Sequence, residues 1–114
     1  MLMLFTALSC STQDEVPGHT VDVRMYHHFL SVRDGEVYLM EDTDEFPGWN
    51  KSAYTFRGRV DDSGQVIFEG VLPGSHYLLG LGHDGIDSVK GYQPFTVDAR
   101  DPDRRQKIIL YVSE

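Results

Sequence analysis

Five histidines, one cysteine and eighteen carboxylates are the side chains of this 114-residue chain best equipped for chemistry. A zinc or copper site needs three or four converging ligands, with imidazole the usual nitrogen donor. His19, His27, His28, His76 and His83 show no HxH, CxxC or HExxH spacing. His27 and His28 are neighbours on an expected strand, where successive side chains point to opposite faces, so they are not expected to share an ion. The histidines read as surface or strand-end residues, one of them half buried, and no metal site is expected. Calcium wants six to eight oxygens in a looped geometry. Glu41-Asp42-Thr43-Asp44-Glu45 has closely spaced acids but lacks the glycine and bidentate glutamate spacing of an EF-hand. Asp84, Asp87 and the Asp98–Asp103 connection add carboxylates that nothing in the sequence gathers. A solvated acidic loop is the default; calcium or transition-metal binding is an alternative, and no cofactor is expected. Nucleophilic catalysis needs Ser or Cys beside a histidine and an orienting acid. Adjacent Ser75 and His76 point to opposite faces and do not make that geometry. Gly80-Leu81-Gly82 lacks the spacing and the following helix of a nucleotide loop.

Phe46, Trp49 and Tyr54 lie in or beside the acidic loop. Exposed aromatics between acids make a binding rim, since aromatics dominate interface hot spots. The competing role is structural: Phe46 and Trp49 fold back and cap the open end of a small domain.

The elements that must position these groups are organised around Thr55–Leu81. Asp61-Asp62-Ser63-Gly64 is a turn, with Gly64 free to take a positive φ. Leu72-Pro73-Gly74 is another. Val66 and Phe68 alternate with Gln65, Ile67 and Glu69, and Tyr77, Leu79 and Leu81 with His76, Leu78 and Gly80. Period two marks strands with one face on a core. The same period runs through Thr20–His28, Glu36–Glu41, Tyr54–Val60, Tyr92–Val97 and Gln106–Val112. A loop is expected from Gly82 to Gly91. Seven short strands with regular turn signals predict an all-β sandwich. Its expected core is Val21, Val23, Val37, Leu39, Phe56, Val66, Phe68, Tyr77, Leu79, Phe95, Ile108 and Leu110.

Net charge is −8, which excludes nucleic acid and anionic lipid surfaces as electrostatic partners. A single cysteine excludes an intrachain disulfide. No stretch reaches the roughly 18 apolar residues of a membrane-spanning helix. Met1–Leu8 is nearly all apolar, Ala7-Leu8-Ser9-Cys10 follows, and Ser11–Glu15 turns polar. That order is secretory-signal grammar. With a cysteine at the border it resembles a bacterial lipoprotein signal, although Ala7 replaces the usual leucine and the charged n-region is missing. A start placed too late, with basic residues lost upstream, accounts for the missing n-region. The resemblance implies that Cys10 carries acyl chains, each buried CH₂ supplying about 0.8 kcal/mol of membrane affinity. Gln13-Asp14-Glu15 resembles the export signal that sends some lipoproteins to the cell surface. Residues 1–18 are thus expected to be signal and tether, and 19–114 the folded domain.

Asp61, Gly64, Phe68, Pro73, Gly74, Tyr77 and Leu79 stand in the spacing D-x-x-G-x-x-x-F-x-x-x-x-P-G-x-x-Y-x-L. That run resembles the hallmark of carboxypeptidase regulatory-like and collagen-adhesin B-type domains. Gly35-Glu36-Val37-Tyr38-Leu39 resembles their second strand. Thr43–Gly48 and Gly82–Gly91 look like a narrower group of small bacterial lipoproteins. The resemblance covers about Val21 to Val112 and implies a seven-strand antiparallel β-sandwich of the prealbumin (transthyretin)-like type. It implies stalk, adhesive or accessory roles, while fold alone does not fix function. The tyrosine-arginine-glycine-serine ending of the superfamily's hydroxyisourate hydrolases is absent, and its intradiol dioxygenases hold iron within much larger chains. The adhesin-type isopeptide finds Arg24 where its lysine would stand; Lys51, Lys90 and Lys107 remain for a Lys–Asp version.

The expectation is a non-enzymatic outer-membrane lipoprotein, anchored at Cys10. Loops at one sandwich end would meet a protein or glycan partner. The candidate residues are Asp42, Asp44, Glu45, Phe46 and Trp49 in one loop, and His83, Asp84 and Asp87 in the other. The alternative is a structural spacer that pairs through an edge strand.

Overall fold

The computed structural model describes residues 18–114; Cys10 and the expected signal and tether lie outside them, Gly18 excepted. The strands are β1 (His19–His27), β2 (Leu30–Ser31), β3 (Asp34–Glu41) and β4 (Phe56–Arg59). They continue with β5 (Gln65–Val71), β6 (Gly74–Asp84), β7 (Asp87–Val97) and β8 (Arg105–Tyr111). Two four-stranded sheets face each other. In the first, β1 is flanked by β8 on one side and by β5 and the β2 stub on the other. The second has the order β4-β3-β6-β7. The all-β sandwich is as expected, with the two-residue β2 added to the seven strands.

One pairing departs from the all-antiparallel expectation. β1 and β8 run parallel, from Thr20↔Arg105 to Tyr26↔Tyr111. The Asp98–Arg104 connection carries the chain from the second sheet to the first, and β8 enters beside β1 in its own direction. Beyond β8 the chain returns to the second sheet: Lys90 and Ser113 exchange backbone hydrogen bonds of 2.8 and 2.9 Å.

The turns follow their residues. Gly64 takes φ +79°, and Asp61 Oδ1 accepts from the Ser63 and Gln65 backbone amides. The expected Gly82–Gly91 loop is instead a hairpin paired down to Asp84↔Asp87. Its two-residue turn, Gly85-Ile86, has Gly85 at φ +68°, as a type II′ turn requires at its first central position.

The core unites Val21, Val23 and Met25 with Val37, Leu39, Val66, Phe68, Leu78, Val97 and Leu110; Phe56, Phe95 and Ile108 pack against it. Tyr77 and Leu79 were expected there and face the other way. On β6 it is Leu78 and Gly80 that look inward: a Cβ on Gly80 would meet Leu110, Met25 and Val112. Two inward glycines, Gly80 and Gly82, break the apolar row on the core face, while the aromatic alternation of β6 lies on the outer one. His19 and His27 do stand at the ends of β1, but three histidines, these two and His76, are buried where only one half-buried was expected.

Candidate functional site

The outer face of the second sheet carries an unusual amount of aromatic surface. Tyr38 on β3 pairs with Leu79 on β6, Met40 with Tyr77, and Leu79 with Tyr92 on β7. Alternation puts all of these on the face away from the core. The segment between β3 and β4 lies over them. Phe46 stacks on Tyr92 with centroids 4.0 Å apart and meets Trp49 edge to face at 5.0 Å. It also reaches Tyr77 at 6.0 Å. Tyr54 packs on Tyr38 at 6.0 Å and donates a 2.8 Å hydrogen bond to the Gly48 carbonyl. Lys90 Nζ sits 5.3 Å from the Trp49 ring centre. Tyr38 and Leu79 are buried beneath this cover. Phe46 and Trp49 thus do fold back, but over a sheet face rather than over an end of the sandwich. Trp49 and Tyr92 still keep 50% and 49% of their surface in solvent.

His76 fixes the root of the segment. Its Nδ1 accepts from the Asp42 amide at 2.9 Å, so its Nε2–H donates to the Leu72 carbonyl at 2.6 Å. Thr43 adds a backbone bond to Ser75 at 2.9 Å. Asp42 itself takes φ +65°. Asp42, Asp44 and Glu45 are exposed. Among the described residues they join no group of three ligand atoms within 4.8 Å.

The second expected group lies elsewhere. Ser75 and Asp84 are nine residues apart on β6, about 30 Å at strand rise. His83, Asp84 and Asp87 therefore do not share an end of the sandwich with Asp42–Glu45, although the two segments approach each other over the sheet face, where Lys90 meets Trp49. Asp84 instead receives a 2.7 Å hydrogen bond from His27 Nδ1. His28, expected to point away from His27, lies beside it with ring centroids 4.1 Å apart. The cause is the β1–β2 turn. His28 and Phe29 take φ +52° and +66°, the pair of positive values of a type I′ turn, so His28 has left the extended strand. The ring nitrogens of His27 and His28 then converge with Glu114.

No protein-family model matches the chain, and no curated protein sequence does. Solved structures do match in shape. A DUF3823 family protein from Parabacteroides merdae superposes with TM-score 0.55 at 13% identity, over 87% of this chain and 47% of that one. The group B streptococcus pilus 2b backbone protein gives 0.55 at 12%, over 82% and 40%. BcpA, the major pilin subunit of Bacillus cereus, gives 0.54 at 10%, over 84% and 30%. At such identities the likeness is one of fold, a β-sandwich. The chain spans less than half the length of each of these proteins.

Lys51, Lys90 and Lys107 are all exposed, so none is placed for a buried isopeptide crosslink. Lys51 Nζ and the Arg57 guanidinium lie 6.0 and 5.9 Å from the Tyr38 ring centre. The Tyr38 hydroxyl donates to Glu36. Burial and this bond push the Tyr38 phenol up to about 12, so the fold favours its neutral form. Its contribution is complete below the ordinary tyrosine range near 10 and is lost as pH rises towards and through 12. Two units are worth about 2.7 kcal/mol. Denaturant unfolding between pH 9 and about 12 should show this loss. Tyr38→Phe should flatten the slope; an unchanged slope would show that Tyr38 ionises freely.

The sequence flagged Phe46 and Trp49 but missed their partners Tyr77 and Tyr92. The signal was present in the alternation of Tyr77 and Leu79 opposite Tyr92 and Pro94, once the inward face of β6 is known.

Proposed function

We propose that this chain is a non-enzymatic lipoprotein module of the outer envelope. Acyl chains on Cys10 anchor it, and it offers the outer face of the second sheet to a protein partner. The observation that carries the reading is the half-exposed pair Trp49 and Tyr92, set edge to face at 5.8 Å on a pinned segment and a central part of β7. Two nearly perpendicular rings form a corner, which suits a partner's side chain better than the flat face of a sugar. Rigid aromatics of this kind, beside a cation such as Lys90, are the residues that dominate interface hot spots. Two of the fold neighbours are pilus proteins, and a surface role agrees with that fold. Catalysis is disfavoured: His27 is oriented by Asp84, yet no hydroxyl or thiol among the described residues bonds its Nε2.

The test is photo-crosslinking in intact cells, with the crosslinker at Tyr92 or, on the opposite sheet, at Glu69. The expected adduct forms from Tyr92, disappears with Trp49→Ala, and is absent from Glu69. Equal adducts from both positions, or none, would overturn the reading. Lipid labelling of an upstream-extended chain and its Cys10→Ala variant tests the anchor separately.

A second reading rests on β8, which pairs along β1 and has no strand on its other flank among the described residues. Such an edge can accept a strand from another chain and make the module a spacer. In that case proline at Ile109 disrupts assembly, while Trp49→Ala leaves it intact.

A further inference from the structure

At the far end of the sandwich the β1–β2 turn, the β6–β7 turn and Glu114 come together. His27 is only 3% exposed. Its Nδ1–H is committed to Asp84 Oδ2 at 2.7 Å, which leaves Nε2 as the free lone pair. That nitrogen is buried and has no hydrogen-bond partner among the described residues. Glu114 Oε2 is 3.3 Å from it, and 3.9 Å from His28 Nε2. All three atoms lie within 4.8 Å of one another.

We propose that His27, His28 and Glu114 bind a divalent transition cation, zinc foremost, with Asp84 as the group that orients His27. Metal-bound histidines ordinarily donate their second ring N–H to a carboxylate, which sets the tautomer and raises basicity. Asp84 stands in that relation to His27. Zinc bonds of roughly 2.0–2.1 Å in a tetrahedron put ligand atoms about 3.3 Å apart. The His27–Glu114 pair has that separation already, and His28 and Glu114, both exposed, need move only slightly. Two imidazoles and one carboxylate suit zinc better than calcium, which prefers an all-oxygen set. Three protein ligands leave a fourth position for water or for a donor from a partner. The cation would clip the β1–β2 turn to the segment that follows β8.

Calorimetric titration with zinc chloride tests this on the untagged full chain carrying Cys10→Ser, which removes the competing thiol. Wild-type ligands should show one saturable site and a rise in melting temperature with zinc. His28→Gly suits the left-handed backbone and removes one ligand; Glu114→Gln removes another. Each should lose at least about tenfold in affinity. Asp84→Ala should lose about 10- to 100-fold without touching a ligand. His83→Gln should bind as the parent does. Cobalt(II) should give the intense visible bands of a tetrahedral site, lost in His28→Gly. Absence of saturable binding, or equal affinity in the parent and His28→Gly, would overturn the proposal. None of these outcomes bears on the Trp49–Tyr92 face.

Discussion

Gly91→Ala is expected to lower the unfolding free energy by about 3 kcal/mol, near the upper end for overpacking. For a domain of this size that is a fall in melting temperature of about 12–24 °C. Gly91 lies on β7 where the chain beyond β8 crosses to the second sheet. A methyl group there would stand 2.3 Å from the Tyr111 carbonyl oxygen and 3.1 Å from Val112 Cα. Both are backbone atoms, so relief requires moving the crossing itself, together with the Lys90–Ser113 bonds. Gly85→Ala is the control. Its methyl would meet nothing, and only the φ of +68° opposes it, at about 1–2 kcal/mol. If the two variants melt together, the crossing does not press on β7.

His76→Phe should cost about 2–3 kcal/mol although it keeps a ring of similar size against Phe95. The loss comes from two backbone groups. The Asp42 amide and the Leu72 carbonyl both bond the buried imidazole, and no other protein group among the described residues bonds them. The effect should be local as well as global. Amide exchange at Asp42 and Thr43 should accelerate more than exchange in β1, because the root of the aromatic segment is released. The Trp49 fluorescence should shift towards that of a more exposed indole. His76→Gln, which can still bond one of the two groups, should recover part of the loss. Uniform exchange across the domain would mean that His76 contributes only to the core.

These two residues also show what was legible from sequence. Turn chemistry was: Gly64 takes the positive φ its place in Asp-Asp-Ser-Gly implied. Alternation found every strand but the Leu30–Ser31 stub. It mistook the inward face of β6, because alternation names two faces and not which is buried. The hydrophobic side carried Gly80 and Gly82; the space at Gly80 is filled by Met25, Leu110 and Val112, far along the chain, and that at Gly82 by the backbone of Asp34 and Gly35. The parallel partner of β1 was equally hidden, since period two is the same for either direction. At the candidate metal site the failure was conformational. Two adjacent histidines diverge on any strand, and the left-handed turn that brings them together is only weakly signalled: histidine is tolerated at positive φ, but Phe29, which shares the turn, is not a residue that favours it. The aromatic face was half legible. Phe46 and Trp49 were visible as loop aromatics, and Phe95 and Val97 do face inward on β7 as expected, but Tyr77 belongs to β6, whose two faces were interchanged.

The parallel pairing of β1 with β8 has a mechanical consequence. Seven registered pairs join the two strands, and both run in the same direction. Force applied at the start of β1 and the end of β8 therefore pulls along the strand axis, and the whole ribbon bears it at once. Rupture under load is governed by the unfolding rate, and a sheared ribbon must lose many bonds together before it yields. The β6–β7 hairpin, pulled at its open ends, would peel one pair at a time. A module loaded through its first and last strands is thus built to carry tension.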